Sequence, residues 1–153
     1  MRLTLLCVGA ARGILVDAIR EFEVRVSRYF DIDHLEVAAG KGSGERVREA
    51  EGILLLKRLP KGSRIFALAR GGSRYTSAKL ADELAEIATY GPSKATFVIG
   101  GAFGLDARVL DAADRTLSLS DMTMPHDLAR LVLLEQLYRA GTILRGEPYH
   151  KGG

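Results

Sequence analysis

The sequence predicts an α/β fold, a mostly parallel sheet with helices on both faces. Short apolar runs alternate along the chain with longer segments of helical period. The first run, Leu3 to Val8, and the clearest, Ala95 to Ile99, are almost continuously apolar, as strands covered on both faces are. The chain has 153 residues, 47% hydrophobic and 27% charged, which excludes a disordered protein and suits one packed domain over 1–153. It has no repeat, low-complexity tract or linker.

Leu3 to Val8 is too short for a helix and is ended by Gly9. Ile14 to Tyr29 carries Ile14, Ala18, Phe22, Val26 and Tyr29 at helical spacing, with charges opposite. Ile32 to Ala38 alternates as a second strand. Gly40-Lys-Gly-Ser-Gly44 breaks the chain, Ser43 is placed to cap the next helix, and Pro60 stops that helix after Leu59. Ser63 to Ala69 is a third strand, with Gly71-Gly72-Ser73 as a loop and Thr76 or Ser77 capping a helix through Ile87. Ala95 to Ile99 runs into Gly100-Gly101-Ala102-Phe103-Gly104. A short helix from Asp106 to Ala112 precedes a fifth strand, Arg115 to Leu119. The loop Ser120 to Pro125 leads into a last helix, His126 to Leu144.

In such a sheet, ligands bind beyond the carboxyl ends of the strands. Three loops fall at that edge: Ala69 to Arg74, Gly100 to Gly104 and Leu119 to Pro125. Their convergence is the functional signal that the pattern of residues supplies, because glycine lets a backbone approach a ligand closely.

Several chemistries are excluded or disfavoured. Gly9-Ala-Ala-Arg-Gly13 has the wrong spacing for a dinucleotide fingerprint, and no G-x-x-x-x-G-K-[ST] phosphate loop occurs. Cys7, the single cysteine, lies in a strand and reads as an inert small hydrophobe. With three histidines and one cysteine, no metal centre is expected. No segment reaches the roughly 18 apolar residues of a membrane span, and the opening residues read as a strand and not as a secretory signal, so a cytoplasmic protein is expected. Net charge is only +3. From Gly40 to Tyr75, however, nine bases face three acids, a local +6 that suits a polyanion or simply a solvated surface.

Three motifs occur in linked order: Val98-Ile-Gly-Gly101 followed by Gly104-Leu105; Leu119-Ser-Asp-Met-Thr-Met-Pro-His126; and Arg145-Gly-Glu-Pro-Tyr-His150. Together, over essentially the whole chain, they resemble the ribosomal large subunit methyltransferase H family. These are small bacterial SPOUT-class enzymes that methylate N3 of a pseudouridine in 23S rRNA. The resemblance implies a C-terminal trefoil knot, a homodimer, and S-adenosyl-L-methionine as cofactor on assembled ribosomes. It implies cofactor contacts at Leu68, Gly100, Leu119, Ser120, Asp121, Met122, Thr123 and Met124. Leu68, Leu119 and Met124 can sandwich an adenine, while Gly100 and Gly101 leave room for the rest of the molecule. It also implies a C-terminal tail that completes the neighbouring protomer's site.

Uracil-type N3–H is a weak acid, so a group must accept its proton or stabilise the anion. His126 and His150 are the candidates to accept the proton, histidine being the usual acid–base side chain; Arg145 can stabilise negative charge, and Tyr149 can stack on or hydrogen-bond the base. Where family members commonly carry an acid after the residue matching Leu68, this chain has Ala69, followed by Arg70. The competing expectation is a non-catalytic, ribosome-associated RNA-binding protein of the same fold.

Overall fold

The computed structural model describes residues 1–151; of His150 it describes the backbone alone, so the side chain expected to act there lies outside the described residues. Five strands form one sheet: β1 (Arg2–Val8), β2 (Asp31–Val37), β3 (Arg64–Arg74), β4 (Lys94–Ile99) and β5 (Arg115–Ser118). Five α-helices accompany them: α1 (Val16–Val26), α2 (Glu45–Arg58), α3 (Ser77–Thr89), α4 (Ala107–Ala112) and α5 (His126–Leu144). The strand order is β2-β1-β4-β3-β5, and every pair is parallel. The expected α/β architecture is therefore present.

Alternation along the strands divides the core into two layers. Leu3, Leu5 and Cys7 point to one face, where Phe66 and Phe97 stack with ring centroids 4.9 Å apart. There α1, α3 and α5 close the layer with Ile19, Val26, Leu84, Leu133, Leu134 and Leu137. Leu6 and Val8 point to the other face, where Leu55 of α2 and Val109 of α4 cover them. Burial on both faces is why these strands read as apolar runs.

Local chemistry sets most element ends. Thr76 caps α3, its hydroxyl accepting from Lys79 N at 3.1 Å, and Asp106 caps α4, accepting from Arg108 N at 2.9 Å. Three expectations need correction. The first helix begins after a 3₁₀ turn, Gly13–Leu15, so Ile14 leaves the helical period and is 97% exposed. Gly13, with φ +74°, sets that turn. Ser43 does not cap α2; Gly44, with φ +69°, occupies the N-cap position without a side-chain bond.

The third correction concerns the expected loop after Ala69. The strand β3 continues through it to Arg74, interrupted by a bulge. Leu68 and Ser73 both face Leu117 of β5, so the four residues between them leave the ladder and Ser73–Arg74 rejoin it. No helix among the described residues is long and apolar enough to cross a membrane.

Candidate functional site

At the carboxyl ends of β3, β4 and β5 lies a cavity of about 220 Å³. The β3 bulge supplies Leu68, Ala69 and Arg70; the turn after β4 supplies Gly100, Gly101, Ala102 and Gly104; the segment after β5 supplies Leu119, Ser120, Met122, Thr123 and Met124. The first turn of α5 adds His126 and Ala129. Of the eight expected cofactor residues, all but Asp121 line this one cavity. Asp121 turns outward and accepts from Arg74 Nη1 at 2.6 Å, in an exposed ion pair.

The chain builds these walls from its own backbone contacts. A Cβ at Gly100 would stand 2.8 Å from Gly104 C, so the turn after β4 closes only with glycine at that position. At Gly101 a Cβ would meet the Glu51 carboxylate, its oxygens at 2.8 and 2.9 Å, so a larger residue there would have to displace that side chain. The glycine at 100, expected to make room for a ligand, is thus demanded first by the fold.

The segment after β5 is also tied in place. Ser118 Oγ donates to Ser120 O at 3.0 Å, and Met122 N donates to Ser120 Oγ at 3.0 Å. Arg70 Nη1 donates to Thr123 Oγ1 at 3.2 Å, joining the β3 bulge to this segment. Arg70 and Arg74, both counted in the basic stretch, therefore also hold the cavity's rim. With Leu68, Leu119 and Met124 apolar and main-chain groups beside them, the wall can hold a flat heterocycle by burial and read its edge through the backbone.

His126 opens α5 and reaches the cavity, with Nε2 3.4 Å from Asp127 Oδ1. Asp127 in turn accepts from Arg12 N at 3.1 Å, fixing the loop after β1 against the start of α5. The tail residues lie elsewhere in the protomer. Arg145 Nη2 donates to Arg28 O at 3.3 Å, and its guanidinium carbon sits 4.8 Å from the Tyr29 ring centroid. Tyr29 donates its hydroxyl to Glu147.

Tyr149 packs edge-on against Tyr138 and donates its hydroxyl to Glu135 Oε1 at 3.1 Å. Burial, with Glu135 beside it, raises the Tyr149 phenol above the usual range. Neither Arg145 nor Tyr149 lines the cavity.

A second cavity, of about 270 Å³, adjoins the first and shares Gly101, Ala102 and His126 with it. Glu51 of α2 lines it. Sequence reading missed this residue, because a lone glutamate on a charged helix carries no motif. The one signal available was Gly52 beside it, which lets α2 approach so closely that a Cβ at 52 would stand 2.6 Å from Asp106 Cβ. Among the described residues, no group of His, Cys, Asp and Glu is arranged to hold a metal.

A family model described as "Predicted SPOUT methyltransferase" matches residues 1–150. A protein of Gemmatimonas aurantiaca named ribosomal RNA large subunit methyltransferase H is 46% identical over 155 residues, covering 99% of this chain and 100% of that one. Proteins of the same name from Bifidobacterium animalis subsp. lactis and Syntrophotalea carbinolica are each 43% identical, covering 99% and 98% of this chain and 100% and 99% of their own.

Proposed function

The chain belongs to the SPOUT methyltransferase family, and from that premise we propose that it methylates N3 of a pseudouridine in 23S rRNA on assembled ribosomes, using S-adenosyl-L-methionine. The observation that carries this reading is the convergence of Leu68, Gly100 and the segment Leu119 to Met124 on one cavity. The cavity's chemistry suits the cofactor: apolar side chains for an adenine, and a glycine turn whose main chain, bare of side chains, borders the space for the polar remainder. When bound, the cofactor supplies an electrophilic sulfonium methyl group.

The protein's share is position and electrostatics. Leu68, Leu119 and Met124 hold the flat part of the cofactor, and the Arg70–Thr123 bond links the two walls. His126, which lines both cavities, accepts the N3 proton in this proposal or stabilises the resulting anion. Arg145, Tyr149 and His150 act in this proposal on the partner's site within a homodimer, since Arg145 and Tyr149 do not line the cavity of their own protomer. The trefoil knot implied by the family belongs to the same proposal.

The basic stretch gives the rRNA footprint. Arg46 and Arg48 lie on α2, and phosphate contacts there make ribosome binding salt-dependent through counterion release. The deciding experiment is methyl transfer to intact ribosomes and to free rRNA with the modified base mapped, alongside calorimetry with S-adenosyl-L-methionine. Methylation at N3 of one pseudouridine on ribosomes supports the reading. Ribosome binding without cofactor uptake would instead identify a non-catalytic RNA-binding protein.

A further inference from the structure

The second cavity holds an anomaly that the cofactor site does not explain. Glu51 is 3% exposed, yet only one of its oxygens is satisfied within the protein. Oε1 accepts from Gly40 N at 2.9 Å, while Oε2 has no partner among the described residues. A buried carboxylate oxygen without a donor carries a desolvation cost that a ligand N–H can relieve. The carboxylate lies against Gly101, which borders both cavities. Phe103, 41% exposed, lines the same cavity and offers a ring on which a base can stack.

We propose that this cavity receives the target base, and that Glu51 Oε2 accepts a hydrogen bond from the ring N–H of pseudouridine that is not methylated, so that Glu51 is the residue selecting pseudouridine over uridine. The inference rests on the methyltransferase reading above and adds to it a specificity residue. Pseudouridine is attached to its ribose through C5, which leaves both N1–H and N3–H free; uridine is attached through N1 and has N3–H alone. A base whose N3 meets the cofactor cavity where the two cavities share Gly101, Ala102 and His126 keeps N1–H for a second acceptor. Uridine in the same pose presents C5–H there and leaves the buried oxygen unpaired. A site built to bond a polar hydrogen rejects an analogue lacking it far more strongly than an apolar pocket can.

The test compares wild-type protein and Glu51→Gln on two substrates: ribosomes with pseudouridine at the target, and ribosomes with uridine there, taken from cells lacking the synthase for that position. The carboxamide keeps the bond to Gly40 N and turns an N–H₂ toward the ligand. The wild-type kcat/KM is expected to favour pseudouridine by about 10- to 100-fold, the value of one charge-assisted hydrogen bond. Glu51→Gln should lose most of that preference by slowing on pseudouridine alone, with calorimetric affinity for S-adenosyl-L-methionine unchanged. Equal slowing on both substrates would reduce Glu51 to a structural tie for Gly40 and overturn the proposal. Should the variant fail to fold, equal wild-type rates on the two substrates would overturn it without any variant. Absence of methyl transfer by the wild-type protein on either substrate would instead refute the methyltransferase reading on which the proposal rests.

Discussion

Gly72 lies so close to Thr116 that a Cβ at position 72 would stand 2.6 Å from both the carbonyl carbon and the carbonyl oxygen of Thr116. This contact lets β3 rejoin β5 after its bulge, and the bulge is one wall of the cavity at the carboxyl ends of the strands. Gly72→Ala should therefore cost about 1–3 kcal/mol by overpacking against backbone that cannot yield. Gly71→Ala, where a Cβ meets nothing within 4 Å, is the control and should stay within about 0.5 kcal/mol. Urea unfolding of both variants measures the difference, and equal stabilities would show that the bulge repacks freely.

The same stretch shows where sequence reading stops. Periodicity placed all five strands and the last helix, His126 to Leu144: burial on both faces makes β1 and β4 apolar runs, while the edge strand β2 shows as alternation. The bulge escaped it, since Gly71-Gly72-Ser73 reads as a turn whether or not the chain later re-pairs. The cavity lining was legible through its motifs, whereas Asp121 falls outside it: its neighbours face the cavity, while a pairing with Arg74, distant in sequence, turns it outward. Glu51 was invisible for the complementary reason. Its role depends on what α2 packs against, and that is a property of the fold.

Arg130 makes a second prediction. Its guanidinium, buried between α1, β2 and α5, donates to Glu23 Oε1 and Glu36 Oε1, each at 3.0 Å. Removing the cation leaves two carboxylates facing each other without compensation. Arg130→Met should cost about 3 kcal/mol, the low end for a broken buried pair, because Glu36 remains partly exposed. Adding Glu23→Gln and Glu36→Gln to Arg130→Met should recover much of that loss. A triple variant no more stable than Arg130→Met would refute the electrostatic account.

His34 sits beside the same cluster, its Nδ1 3.3 Å from Glu23 Oε1 and lacking a hydrogen bond among the described residues. Burial lowers its pKa, with Arg130 reinforcing the shift and Glu23, Glu36 and Asp33 opposing it. The native state thus prefers neutral imidazole, and below about pH 6.5 the unfolded chain binds the extra proton first. Stability should fall as pH drops from that value toward the folded pKa, with a slope of at most about 1.4 kcal/mol per pH unit from this group. His34→Gln should flatten this part of the profile in denaturant titrations between pH 5 and pH 7. An unchanged slope would assign the acid sensitivity to other groups.

Cys7 is 4% exposed in the middle strand region, and burial pushes its thiol up to about 12. Thiolate is the reactive form, so native protein at pH 8 should not react with a thiol reagent on the timescale of minutes. One thiol per chain should titrate after unfolding in guanidinium. Rapid labelling of the native protein would mean that β1 opens locally far more often than its burial allows.

The location of the tail yields the last prediction. Within one protomer, Tyr149 is held by Glu135 and Tyr138 on α5, and Arg145 by Arg28 and Tyr29, away from the cavity that Met124 lines. If these residues complete the partner's site, a chain truncated after Leu144 and a full-length Met124→Lys chain should each be inactive as homodimers, the first for want of a tail and the second for want of a cofactor seat. Their mixed dimer has one site built from an intact cavity and the other chain's intact tail. After random exchange, half the dimers are mixed and half the sites in those work, so methyl transfer should return to about a quarter of wild type. Cofactor calorimetry on the truncated chain separates loss of the tail from loss of the cavity: affinity should persist there and vanish in Met124→Lys. Mixing that restores no methyl transfer, in dimers shown to have exchanged, would place the tail's action within its own chain and require it to swing from α5 toward His126.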